Sequence, residues 1–273
     1  MKSAINVIKE QVNYFHLIRR LSLYEMKSQN RNNYLGMAWE VLNPAIQILI
    51  YWFVFGTLRT RDDVAVGDMD IPFFFWLLTA FFLWLFFYQG TVQGSKSIYS
   101  RLGILSKMNF PMSVIPAFVI SSKFYIHLAM MGIVIIILQF NGYYINSHYV
   151  QLLYFIVAAF VFIFALSLIT STLSTIIRDV HMFLNSTLRM LLYLSGVLWP
   201  ISILGNMEWL MNLMKLNPLF YLVQGYRHSL FGTEWYAVTQ WEYTLYFWVL
   251  VAVLFIIGSA LHMKFRRHFI DYL

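Results

Sequence analysis

Six runs of mostly apolar residues decide what this chain can become: 37–58, 71–94, 114–138, 149–177, 182–204 and 243–263. Each is close to the ~20 residues that an α-helix needs to cross a hydrocarbon core ~30 Å thick. Lipid offers backbone amides no partner, so an isolated run of this kind must satisfy its own hydrogen bonds as a helix. The expected fold class is an all-α integral membrane protein with six transmembrane helices. Composition agrees, with 60% hydrophobic and only 11% charged residues, where soluble domains carry about 25% charge. Cysteine is absent, which removes disulfides, thiolate nucleophiles and Cys-based metal sites from consideration. The net charge of +7 is read as a topology signal of the positive-inside kind, not as a nucleic-acid footprint.

The segments between the runs set the orientation. From Lys2 to Arg31, polar residues such as Lys9, His16, Arg20 and Lys27 recur mostly at helical spacing, while Ile5, Ile8, Val12, Phe15 and Ile18 line another face. This is the pattern of a helix lying in a membrane interface; packing on protein is the plainer reading, and the two are compatible. A cleavable signal peptide is not expected, because charges interrupt every apolar stretch here. Residues 1–36 are therefore read as an interface helix with a following loop, and 37–273 as the membrane domain. Of the nineteen Lys and Arg, thirteen (Lys107 and Arg267 among them) fall on the side of the termini. Arg59, Arg61, Lys215 and Arg227 fall opposite, so both termini are expected in the cytoplasm.

Three segments need separate treatment. Residues 59–70 carry Arg59, Arg61, Asp62, Asp63, Asp68 and Asp70 and read as a solvated loop. Residues 95–113 read as a short basic amphipathic helix with Ile98, Leu102, Ile104 and Leu105 on one face. Between Gly205 and Trp241, semi-apolar sequence is broken at Asn217-Pro218 and again at Gly225. Each piece is too short to span, which predicts re-entrant half-helices before the last span; a helix pair lying on the membrane surface is the alternative.

Chemistry-bearing motifs are few. No GxxxxGK[ST] phosphate loop and no HExxH occur, so the chain is not expected to hydrolyse ATP or hold a metal by itself. Ser167, Ser171 and Ser174 sit at helical spacing among small neighbours, where packing explains them better than nucleophilic catalysis. An ion-coupled carrier or channel would want carboxylates at mid-membrane depth; the ionisable residues inside the spans are Glu40, Lys123 and Arg189. Glu40 and Arg189 are expected to pair, against the alternative of independently snorkelling charges. An intramembrane acyl- or glycosyltransferase would need paired carboxylates or a His-based site, which the pattern does not provide. Aromatic residues reach 19%; interfacial belts and packing account for them, with stacking on sugar rings as the alternative.

The order of these features resembles the ABC-2 family of export permeases. The resemblance rests on Tyr34-Leu35-Gly36 with Trp39 and Leu42-Asn43-Pro44 at the first span, and on the basic segment from Lys96 to Pro111. Asn217-Pro218 followed by Gly225-Tyr226-Arg227 completes it. Within that family the chain is most similar to permeases for lipid-linked polysaccharide, teichoic acid above O-antigen or capsule. The resemblance implies a homodimer with two copies of a separate ABC ATPase, which would carry the ATP and Mg. It also implies a polyprenyl-pyrophosphate-linked polymer as cargo. It makes Arg31, Tyr34, Leu35, Gly36 and Trp39 the substrate entrance, and Ile98, Tyr99, Arg101 and Leu102 a coupling helix on the ATPase. Asn217, Pro218, Tyr221, Gly225 and Arg227 become the exit region.

Overall fold

The computed structural model describes residues 1–29, 31–58, 62–105, 110–205, 207–266 and 269; Lys107, Arg267, Arg59, Arg61 and the side chains of Ile104 and Leu105 lie outside what it describes. Helices dominate. Among the described residues, five stretches are long and apolar enough to cross a membrane: Gly36–Phe55, Phe73–Lys96, Val114–Phe140, Tyr149–Ile176 and Trp241–Phe265.

The amphipathic start is two helices, α1 (Lys2–Asn13) and α2 (Phe15–Ser28), broken at Tyr14, whose ψ of 16° leaves the helical range. Each shows a divided surface. Val7, Ile18 and Ser22 are buried against the body, while Ile5, Ile8, Val12 and Phe15 stay exposed. Gln11 donates to the Ser113 carbonyl at 3.1 Å, Arg266 pairs with Glu10 at 2.7 Å, and Arg101 pairs with Glu25 at 2.5 Å. The N-terminal helices thus clasp the C-terminal end of the last helix and two other chain segments at one end of the molecule, here called the terminal side.

The first apolar helix, α3 (Trp39–Trp52), runs unbroken through Pro44 and ends in a π-helical turn, Phe53–Leu58. The segment expected as a loop then folds into a hairpin of β1 (Val64–Val66) and β2 (Met69–Ile71), with Val64 opposite Ile71 and Val66 opposite Met69. Gly67, at φ +59°, supplies the left-handed residue that a two-residue hairpin turn wants. Val64, Val66 and Ile71 turn inward.

Helix α4 (Phe73–Lys96) is the centre of the bundle. After α5, a single turn at Leu102–Leu105, come α6 (Val114–Phe140) and α7 (Tyr149–Ile176). Glycines set how closely these helices approach α7. Cβ atoms at Gly90 and Gly94 would run into Ile163 and Ser167. That spacing of four is the small-residue seam by which membrane helices gain dispersion contact where no hydrophobic drive exists. Ser167 is therefore a packing residue, as its neighbours in the sequence suggest.

Helix α8 (Asp179–Leu194) corrects the expected fifth span of 182–204. It starts earlier and stops ten residues sooner, because Gly196 takes φ +67° and Pro200 follows with extended backbone. The chain still travels the length of α4, antiparallel to it. His181 Nδ1 lies 2.7 Å from Ser95 Oγ, Tyr88 donates to Asn185 at 2.7 Å, and Val197 reaches the level of Trp76. A short helix plus irregular backbone covers what one long helix was expected to cover.

Two antiparallel-linked pieces follow, α9 (Glu208–Leu216) and α10 (Pro218–Phe231), then α11 (Tyr236–Thr239) and α12 (Trp241–Phe265). The break at Asn217-Pro218 is where the sequence places it: the Asn217 side chain caps the Leu219 amide at 3.0 Å and proline takes the first helical position. The expected second break at Gly225 does not exist. Gly225 sits inside α10, and a Cβ there would overlap the Phe155 ring of α7. Its role is close approach, not a turn.

Candidate functional site

On the terminal side, the described chain between α2 and α3 is largely exposed. Arg31, Tyr34 and Leu35 are exposed, Trp39 and Gly36 half-buried. The loop is held by short local bonds, Gly36 N–H to the Asn33 carbonyl at 2.9 Å and Ala38 N–H to Leu35 at 3.0 Å. Gly36 has φ +49° with open space around its Cα, so any side chain there would be strained by backbone conformation alone. Of the five residues expected at an entrance, Arg31, Tyr34, Leu35 and Gly36 lie in this segment and Trp39 opens α3.

Directly behind it lies a polar step. Lys123 Nζ, on α6, is 2.6 Å from Gln29 Oε1 and 3.3 Å from Glu40 Oε2. Glu40 sits in the first turn of α3, where the helix dipole favours a carboxylate. The Lys123 and Glu40 side chains are 7% and 17% exposed, so neither snorkels freely. This corrects the expected Glu40–Arg189 pair: Arg189 is exposed on α8, which packs on α4 and α7, and no such pair forms among the described residues. One turn further along α6, His127 accepts or donates a 2.9 Å bond with Tyr226 Oη of α10 and stacks on Phe86 at 4.7 Å. The cavity among Pro44, Phe82, Gln89, Lys123 and His127 measures about 20 Å³, room for about one water. No polymer passes between α3, α4 and α6 of a single chain in this conformation. Sequence reasoning named Lys123 without its partners and missed His127; their spacing of four on one helix was the available signal.

The segment expected as a coupling helix is short and broken: a turn of 3₁₀ helix at Tyr99–Arg101, then α5. Ile98 and Leu102 are buried, at 0% and 3% exposure, so the apolar face of this segment is turned to the body. They anchor the segment to the body because apolar side chains at that spacing find the core first. Arg101 is tied to Glu25 and lies 5.5 Å over the Phe118 ring, while Tyr99 packs edge-on to His181. Among the described residues of the segment, Ser100 and Gly103 are exposed.

The exit residues divide. Asn217 and Pro218 form the half-buried break, whereas Tyr221, Gly225 and Arg227 are enclosed in the bundle. Tyr221 Oη bridges Tyr154 at 3.1 Å and Thr244 at 2.8 Å within an aromatic cluster that joins α7, α10 and α12. Arg227 is fully buried; its guanidinium lies 3.4 Å over the Trp76 ring and donates to the Trp76 and Val197 carbonyls at 3.3 and 3.4 Å. A desolvated cation held by an indole face and two carbonyls pins α10 to both α4 and the segment after α8. Beside it on the far side, a cleft of about 690 Å³ is lined by Asp62, Asp63, Asp70, Phe73 and Trp199.

A bundle of long apolar helices with a clasped amphipathic start, a bare first helix and an enclosed α10 before the last helix defines a multi-pass membrane protein. The ABC-2 type transporter family matches residues 16–231, and the chain belongs to that family. It is similar to the O-antigen export system permease protein RfbA of Myxococcus xanthus, 24% identical across 82% of this chain and 83% of that one. A permease of the same name from Klebsiella pneumoniae is 23% identical across 95% of both chains.

Proposed function

We propose that this chain is the permease subunit of an ATP-driven exporter of a lipid-linked cell-surface polysaccharide of the O-antigen type. The observation that carries this reading is the near end-to-end similarity to O-antigen export permeases. It favours O-antigen over the teichoic acid to which the sequence pattern first pointed, since the curated relatives carry the former name. The chain has no phosphate loop, so a separate ATPase supplies the energy. The segment around Ser100 and Gly103 is its docking site, with Ile98 and Leu102 as the anchor beneath.

In this reading the chain crosses a bacterial plasma membrane six times, with the stretch from Asp179 to Val197 as the fifth crossing and both termini in the cytoplasm. Two copies meet along α3, and the polymer passes between them. Arg31 offers charge for a pyrophosphate at the loop before α3. The far-side cleft offers carboxylates for sugar hydroxyls and aromatic faces for sugar rings. The test is complementation. Expressed with the ATPase encoded beside it, the chain should restore surface polysaccharide to a strain lacking its O-antigen export permease, and should co-purify with that ATPase. A chain that binds no ATPase and leaves the polymer in the cytoplasm would overturn the reading. Replacing Arg31 with Glu should then cut export at least severalfold without loss of assembly.

A further inference from the structure

Two neighbouring cavities, with Leu213 and Leu216 of α9 as shared walls, form a groove along one face of α12 in the far-side half of the molecule. Tyr243, Tyr246, Leu250 and Leu254 fall three or four apart on that face and line it from mouth to floor. At the mouth, a cavity of about 790 Å³ is bordered by Lys215 and Glu242 together with Trp209. Below it, a cavity of about 450 Å³ has walls of aliphatic and phenyl side chains, with Thr187 and Asn217 as its polar lining side chains. Leu213 and Leu216 of α9 border both, so the two meet there.

Polarity therefore changes in one direction along the groove, from charged and aromatic to hydrocarbon. Water filling the inner part would find too few of the two to four polar partners that it needs. Hydrocarbon fills it at no such cost. From Glu242 to Leu254 the α12 face extends about 18 Å, at about 1.5 Å per residue. That is close to one leaflet of a hydrocarbon core about 30 Å thick with its interfacial layer. The floor is set by Phe162, near the middle of α7, and by Leu254, near the middle of α12.

We propose that this groove is a binding site for one glycerophospholipid of the far-side leaflet, carrying a zwitterionic headgroup of the ethanolamine type. Lys215 and Glu242 stand exposed at the same mouth. A phosphate beside an ammonium matches that pair of opposite charges, whereas a purely anionic headgroup would face the Glu242 carboxylate. The one-leaflet depth suits an acyl chain; a polyprenyl chain is too long for it. The site holds whatever the cargo is; only calling its leaflet the outer one rests on the proposed orientation.

Photo-crosslinking tests this on the full-length chain, assembled with its ATPase in nanodiscs of phosphatidylethanolamine and phosphatidylglycerol. A diazirine-tailed phosphatidylethanolamine should label the groove at Leu213, Leu250 and Leu254 more heavily than Leu153 and Val157, exposed on the far-side half of α7. Leu254→Trp should fill the floor and reduce groove labelling about tenfold, with labelling at Leu153 and Val157 unchanged. Glu242→Lys should shift the preference severalfold toward a phosphatidylglycerol probe. Groove labelling no richer than that at Leu153 and Val157, or equal labelling by both headgroups in the unaltered chain, would overturn the proposal. So would displacement of the probe by a polyprenyl phosphate, which would make the groove a cargo site. Labelling that vanishes in the dimer would also overturn it, since a second copy would then cover the groove.

Discussion

The first and second apolar helices look alike in the sequence and fare oppositely in the folded chain. Only 6% of the first is buried within the chain, against 72% of the second. In water, an apolar face left open to this degree would be a liability. In lipid it costs nothing, because hydrocarbon surrounds Leu49 or Ile50 as well as another helix would. Hydropathy thus says that a segment enters the membrane and nothing about which face meets protein. What distinguishes α4 is shape: Gly90 and Gly94 admit α7, and Phe82, Phe86 and Phe87 fill the space between neighbours. Leu42, Ile46, Leu49 and Phe53 leave α3 a smooth bare face, free for lipid or for a second chain.

The contrast can be broken at three levels. Phe82→Ala, at 1% exposure on α4, should destabilise the chain by about 3–5 kcal/mol through the cavity it leaves, read as a large drop in thermal unfolding temperature in detergent. A loss within error would mean that α4 is not the packing centre. Next, Lys123→Ala should cost about 1–3 kcal/mol, less than a fully enclosed pair would because Glu40 keeps some exposure. Exchanging the two charges, Glu40→Lys with Lys123→Glu, should recover most of that loss, whereas Glu40→Arg with Arg189→Glu should not. Rescue by the second exchange alone would restore Arg189 as the partner. Smallest of all, Leu49→Ala should change unfolding by less than about 0.5 kcal/mol. The dimer fraction seen by cross-linking should fall nonetheless, and an unchanged dimer would show that α3 faces lipid alone.

Four helices could be drawn from the sequence to within two residues of their observed ends and the first to within three, since long apolar runs have one outcome in lipid. The break at Asn217-Pro218 was equally legible, as both residues carry local chemistry for starting a helix. Where an assignment depended on a neighbour it failed. Gly225 read as a break because glycine usually marks one, and nothing local announces the Phe155 ring that claims its missing Cβ. At Ile98 and Leu102 periodicity shows that an apolar face exists, not what covers it. Glu40 was matched to the wrong cation because depth along a helix is readable and azimuth around the bundle is not. Arg227 was legible as a cation opposite the termini, but not that Trp76 and two carbonyls enclose it.

By itself, then, the sequence determined that this chain lives in a membrane and, closely, where most of its long helices begin and end. Those follow from desolvation of backbone and charge, which acts residue by residue. The tertiary structure alone decided which apolar faces are shared and which stay bare, which cation holds Glu40, and that α10 is enclosed in the bundle. Those are choices among helix neighbours, and neighbours of equal hydropathy are told apart only by fit.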